Sequence, residues 1–312
     1  MNGSRISGVG AYRPVTKVDN IEMEKRVGVS PKWIEERTGI IRRGHANDEE
    51  TIVNMAAWAG LDALKSADVP PEDVDLVLVA TSTRRRPMPG AAPEIAHKMG
   101  VMAPGAMDVN GVCAGFPYAL SFASNAVRMN DARHALVIGV DRLTDWLHPD
   151  VKDTYVIFAD GAGAVLVSQS GDNQIGSVAW GSDGSRKDAA GIADDAWHVV
   201  MNGPLIYRWA VNTIPDLARR ACDLADVAIE DISWLVPHQA NRRIIDAIGE
   251  DLGIPSDRIV RDLTETGNTS AASVPLALDN LKRNPDVQSG DKALLLGFGA
   301  GLTYAGQVVH LP

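Results

Sequence analysis

The sequence predicts a five-layer α/β protein, αβαβα, made of two copies of one unit related by a pseudo-twofold axis. Three observations predict it. First, the chain repeats itself at one offset. Residues 67–74 (ADVPPEDV) match residues 225–232 (ADVAIEDI), and 225 − 67 = 158. Residues 116–120 (FPYAL) match 274–278 (VPLAL), and residues 135–139 (ALVIG) match 293–297 (ALLLG), both again at 158. Second, the strand-like segments read as unbroken apolar runs between helices, the pattern of sheets covered on both faces. Third, the helices after Cys113 and Asn268 are apolar nearly all round, as expected for elements held between two sheets.

Each copy then reads in the same order. A helix (55–67, and 211–225) leads through a Glu-Asp turn to an apolar strand (74–81, and 232–237). An apolar helix follows (114–129, and 271–283), then a buried strand (135–140, and 293–298). A glycine-rich approach opens the last strand of each copy (161–168, and 301–311). The polar, turn-prone stretch 168–173 (SQSGDN) divides the copies, giving halves 1–170 and 171–312.

Composition narrows the function classes. The net charge of −10 argues against nucleic acid as a partner, and no run of about 18 apolar residues reads as a membrane span. Cys113 and Cys222 are the only cysteines, too few for a disulfide framework, so a reducing cytoplasmic setting is expected. The first residues carry no signal-peptide pattern.

Corresponding loops of two symmetric copies meet at the pseudo-dyad, where a cleft should form. Three polar residues fall there: Cys113 before one apolar helix, Asn268 before its twin, and His238 at the end of the strand 232–237. A thiol at a helix N-terminus is expected to have a lowered pKa and to act as a nucleophile. His and Asn can both donate hydrogen bonds to a developing oxyanion. The trio also suits a cysteine hydrolase, but its dry apolar setting and the two donors from the second copy argue against hydrolysis. Blander readings hold elsewhere. Cys222 sits on a helical face and reads as core. The glycines of 158–163 (FADGAG) lack the Lys-Ser/Thr of a phosphate loop, and Gly8-Val9-Gly10 is too short a signal.

Residues 110–116 (NGVCAGF), 237–241 (PHQAN) and 267–273 (GNTSAAS) resemble the three active-site signatures of β-ketoacyl-ACP synthase III, a family with the thiolase fold. Supporting stretches run the whole length: 10–14 (GAYRP), 36–40 (ERTGI), 160–164 (DGAGA) and 297–302 (GFGAGL). The resemblance implies a ping-pong condensation without metal or redox cofactor. Cys113 would take an acyl group from acyl-CoA, with backbone N–H groups of Cys113 and Ala300 holding the oxyanion. Malonyl-ACP would lose CO₂, and His238 and Asn268 would stabilise the enolate. The resemblance further implies that Trp33, Arg37, Lys152 and Asn241 contact CoA. Arg208, Arg242 and Arg243 would meet an acidic carrier protein. Phe298 would line the acyl pocket, and Met88 would cross a homodimer interface to close the partner's.

The sequence departs from the family pattern in several places. Lys152 stands where an Arg usually stacks on adenine, and a Lys stacks less well. Arg84-Arg85-Arg86 puts three charges before the pocket-closing segment, and Glu250-Asp251 reverses the usual basic character of a docking surface. Asn110 replaces a small residue beside the nucleophile, and the segment 181–203, which roofs the acyl pocket in the family, is short. These departures keep two other readings in play: transfer of the acyl group to an alcohol or amine, and a non-catalytic partner subunit. The intact Cys113, His238 and Asn268 speak against the second. The absence of a Cys from Gly299-Ala300-Gly301 speaks against a degradative thiolase.

Overall fold

The computed structural model describes residues 2–192 and 197–312. Nine strands form its two main sheets: β1 (Gly3–Tyr12), β2 (Leu76–Ala80), β3 (Gly105–Val109), β4 (His134–Arg142), β5 (Asp160–Ser170), β6 (Ala179–Gly181), β7 (Trp234–Pro237), β8 (Lys292–Phe298) and β9 (Tyr304–His310). The first sheet has the order β1-β5-β4-β2-β3 and the second β6-β9-β8-β7. Register makes the two equivalent. The pairs β2–β4 and β7–β8 are parallel, whereas β4–β5, β5–β1, β8–β9 and β9–β6 are antiparallel. The fifth strand, β3, has as its counterpart only an isolated parallel bridge from Leu235 to Ile259.

Seven helices cover and separate these sheets: α1 (Pro31–Thr38), α2 (Ile52–Ser66), α3 (Ala92–Met99), α4 (Gly115–Arg128), α5 (Gly203–Leu224), α6 (Arg242–Asp251) and α7 (Ser273–Leu281). Alternation along the strands sorts the side chains into layers. Leu78 and Val137 pack inward with Phe116 and Leu120 of α4, Val274 and Leu278 of α7, and Leu295 of the second sheet. Val77, Leu136 and Ile138 face outward against α2 and α3. Leu235, Leu294 and Leu296 face the other way, against α5 and α6. The αβαβα order follows.

Two glycines let the central helices come close. A Cβ on Gly139 would lie 2.3 Å from the Ala271 carbonyl oxygen, and one on Gly297 would lie 3.0 Å from Ala114 Cα. The two sites share the 158-residue offset, so the repeat in 135–139 and 293–297 records a packing need. Pro117 and Pro275 each occupy the third position of their helix, where no intrahelical partner awaits an N–H. Gly8 and Gly10 prove structural as well, since a Cβ on either would fall within 2.3 Å of the α2 backbone.

The sequence reading names neither β1, β3 and β6 nor α1, α3 and α6, and it starts α5 too late. Helix α5 begins at Gly203 rather than near 211, because Asn202 caps it through a hydrogen bond from Leu205 N–H and Pro204 fills its first turn. Strand β3 is absent from the sequence reading: residues 105–109 (GAMDV) are half-exposed at a sheet edge and lack an apolar run. Among the described residues no helix is long and apolar enough to cross a membrane.

Candidate active site

A cavity of about 660 Å³ opens where the two halves meet, and Cys113, His238, Asn268 and Ala300 all line it. Cys113 sits in a 3-10 turn (Val112–Ala114) immediately before α4. Val112 there adopts φ 48°, and its image at the 158 offset, Ser270, adopts φ 50°. Both turns are therefore bent the same way at the heads of the two central helices. Gly299 completes the seat: a Cβ there would lie 2.7 Å from Cys113 Sγ, so only glycine lets this backbone approach the sulfur.

The expected acidic thiol is not what the geometry produces. Burial pushes the Cys113 pKa up to about 11, and the Asp141 carboxylate adds to the rise. The N–H groups of Ala300 and Cys113 favour the thiolate, as does the nearby Ser270 hydroxyl, but they do not offset desolvation. Two separate 3-10 turns, Val112–Ala114 and Ala300–Leu302, supply these few N–H groups, and Cys113 is 7% exposed. The N–H groups of Cys113 and Ala300 both lie beside the sulfur.

His238 extends β7 by donating its backbone N–H to Leu296 O at 2.6 Å. Its Nδ1 pairs with Ser273 Oγ at 2.7 Å, which leaves Nε2 for the cavity. Burial pushes its pKa down to about 3, so the ring is neutral. Phe298 packs edge-on against it, ring centroids 5.4 Å apart. Asn268 is held by backbone bonds to Ile157 and Ala159 at 3.0 and 2.8 Å. Its Oδ1 accepts from Ser270 N–H at 2.9 Å, so the amide NH₂ is the group left to donate.

The mouth is cationic and aromatic. Arg37 lies 5.3 Å from the Trp33 ring centroid, and Arg243 lies 5.4 Å from that of Tyr207. These residues, with Arg208 and Asn241, line the cavity. Asn241 also caps α6, accepting from Arg243 N–H and donating to Arg37 O, each at 2.9 Å. Three expected residues lie outside the cavity wall. Lys152 is exposed at the start of a one-turn helix, and its neighbour Asp153 reaches the wall instead. Arg242 faces a separate depression with Lys32 and Glu36, 3.5 Å from Asp246. Met88 is 82% exposed.

The Arg84–Arg86 run is engaged locally. Arg84 pairs with Glu94 at 3.1 Å, Arg85 stacks on Trp146 and donates to Asp145 O, and Arg86 donates to Met88 O. Asp251 is matched by Arg219 at 2.6 Å. Ala190, Gly191, Ile192, Val199 and Met201 of the short segment 181–203 do line the cavity, while residues 193–196 lie outside the described residues. Sequence reasoning missed Ser82, Thr83, Leu143, Trp146 and Ser273. Ser82 and Thr83 could have been found, because they follow the carboxyl end of β2, the edge at which open α/β sheets bind ligands. Among the described residues no group of His, Cys, Asp or Glu is arranged to hold a metal ion.

Comparison with known proteins agrees with this geometry. Residues 107–184 match the family 3-oxoacyl-[acyl-carrier-protein (ACP)] synthase III, and residues 222–311 match its C-terminal counterpart. The chain is 42% identical to beta-ketoacyl-[acyl-carrier-protein] synthase III 2 of Streptomyces avermitilis, over 100% of both chains. It is 39% identical to the beta-ketoacyl-[acyl-carrier-protein] synthase III of Mycobacteroides abscessus, covering 100% of this chain and 96% of that one. Among solved structures, the priming β-ketosynthase of the R1128 polyketide biosynthetic pathway superposes with a TM-score of 0.97 at 41% identity. That match covers 99% of this chain and 96% of the other.

Proposed function

Because the chain belongs to the 3-oxoacyl-[acyl-carrier-protein] synthase III family, we propose that it catalyses a decarboxylative condensation that starts fatty-acid or polyketide chains. The observation that carries the reading is the convergence of Cys113, His238 and Asn268 on one cavity with a cationic mouth. Cys113 Sγ attacks the acyl-CoA carbonyl and gives up its proton. CoA leaves as the thiol, and an acyl–Cys113 thioester remains. The N–H groups of Cys113 and Ala300 hold the oxyanion formed on the way. Malonyl-ACP then binds and its C–CO₂ bond breaks. The electron pair passes into an enolate whose oxygen accepts from His238 Nε2–H and Asn268 NH₂. That enolate attacks the acyl carbonyl, the C–S bond to Cys113 breaks to release the thiolate, which takes up a proton from solvent, and β-ketoacyl-ACP departs.

Ser273 suits His238 to both halves of this cycle. Its hydroxyl can donate to Nδ1, which puts the proton on Nε2 for the enolate. It can equally accept from Nδ1–H, which frees Nε2 to take the thiol proton. None of these steps calls on a metal or redox group. Trp33 and Arg37 would stack on and pair with CoA, Phe298 would line the acyl pocket, and Arg208, Arg242 and Arg243 would meet the acidic carrier protein. Residues 1–170 and 171–312 would be the two copies of a duplicated unit, supported by their matched strand orders. Two buried free cysteines suit a reducing cytoplasm. A homodimer is supported by the open edge of β3, with Met107, Phe122 and Trp180 exposed nearby and Met88 free to reach a partner.

The test supplies radiolabelled acyl-CoA and malonyl-ACP. Formation of β-ketoacyl-ACP with release of CO₂ is expected, and Cys113→Ala should abolish acylation. Complete acylation of Cys113 without decarboxylation would overturn the condensation and favour transfer to an alcohol or amine.

A further inference from the structure

One part of the cavity wall is polar in a way the condensation does not use. Asn110 follows β3, three residues before Cys113, and lines the cavity. Its side-chain amide has no hydrogen-bond partner among the described residues. Val109 pairs with Ala80 across the parallel strands β3 and β2, so the chain beyond Ala80 runs beside it. That chain contains Ser82 and Thr83, which line the same cavity.

Both hydroxyls donate inward to Asp141 Oδ1, at 3.3 Å from Ser82 and 2.9 Å from Thr83. Their protons are committed, so each can offer the cavity only an oxygen lone pair. Thr83 already gives one of its own to Arg142 N–H at 2.9 Å, which makes Ser82 the more open acceptor. Asn110 offers both an amide donor and a carbonyl acceptor. Leu143 and Trp146 complete this end, while the cavity's cations, Arg37, Arg208 and Arg243, come from α1, α5 and α6 of the mouth. A plain hydrocarbon chain would displace water from these polar groups and give nothing back. An anionic substituent would meet the buried Asp141 carboxylate behind the wall, while the neighbouring Arg85 and Arg142 are already paired with Asp145. A neutral group that both donates and accepts fits.

We infer that Asn110, with Ser82 and Thr83, is a specificity-determining residue that selects a short acyl group carrying a hydroxyl. The substrate hydroxyl donates to one of the wall oxygens and accepts from Asn110 Nδ2. Duplication explains the placement: 268 − 110 = 158, so Asn110 is the image of Asn268 on the other side of the pseudo-dyad. One amide would serve the enolate and its image the acyl group. The inference rests on acylation of Cys113, as proposed above.

The full chain is incubated with butyryl-CoA and with 2-, 3- and 4-hydroxybutyryl-CoA, and acylation of Cys113 is followed by mass spectrometry. At least one hydroxy thioester should react with a kcat/KM about fivefold or more above that of butyryl-CoA. Asn110→Ala should bring that ratio to about one, by slowing the hydroxy thioester and relieving butyryl-CoA of the desolvated amide. Asn110→Ser keeps a hydroxyl and should retain part of the preference, which covers the case of an unstable alanine variant. Equal rates for all four thioesters, or a preference that survives Asn110→Ala, would overturn the assignment. Acylation by none of them would overturn both the assignment and the condensation beneath it.

Discussion

Burial keeps the Cys113 thiol protonated, so its reactivity depends on what removes the proton when a substrate is bound. With a pKa pushed up to about 11, each rise of one pH unit should increase the thiolate about tenfold until that value is approached. Alkylation of the free enzyme by iodoacetamide, read at Cys113 by mass spectrometry, should therefore still be accelerating between pH 8 and about pH 10. A plateau near neutrality would show an acidic thiol and refute this account. Ser273 invites a second test at the same scale. Removing its hydroxyl leaves the His238 Nδ1 without its partner and the ring without a fixed tautomer. Ser273→Ala should slow decarboxylation of malonyl-ACP about tenfold. Acylation by acyl-CoA should fall less, and an equal loss in both half-reactions would point to general misfolding instead. The trio itself was legible in the sequence, because each member heads or ends an apolar element. The acidity of the thiol was not, since it depends on how few N–H groups reach the sulfur and on Asp141, which arrives from β4.

Elements carry the duplication, and the glycines show why. The repeat was readable because both copies solve one packing problem: a central helix laid almost on the backbone of a strand from the other half. Gly139→Ala forces its new methyl into the Ala271 carbonyl, which cannot swing aside as a side chain would. It should cost about 2–3 kcal/mol in urea unfolding. Gly171→Ala, with nothing within 4 Å of the added Cβ, should stay within about 0.5 kcal/mol. Similar losses at the two positions would remove close packing as the reason for the repeat. Strand β1 escaped the sequence despite such a constraint at Gly8 and Gly10, whereas β3 and the start of α5 lack one. Strand β3 has solvent along one edge, so nothing forces it to be apolar, and the first two turns of α5 divide their side chains between the cavity, through Pro204 and Tyr207, and the core, through Ile206 and Trp209.

At the scale of the molecule, the halves are clasped as well as stacked. Arg13 of the N-terminal half reaches Asp279 at 2.7 Å and Asp262 at 3.3 Å in the C-terminal half, and also donates to Leu276 O. That clasp closes the side of α7. The opposite flank stays open: β3 ends the first sheet there, and Met107, Phe122 and Trp180 are 49%, 39% and 41% exposed. An unpaired strand edge beside exposed aromatic and methionine side chains invites a second strand. In the proposed homodimer two β3 strands would pair across the twofold axis and join the first sheets of both protomers. A carboxylate on each β3 would place two like charges near one another in a drying interface, at a cost of several kcal/mol. Met107→Asp should therefore shift micromolar protein from dimer to monomer in sedimentation experiments. It should also weaken acylation, since Met88 could no longer reach a partner's pocket. A monomeric parent chain, or a variant dimer as tight as the parent, would refute pairing through β3.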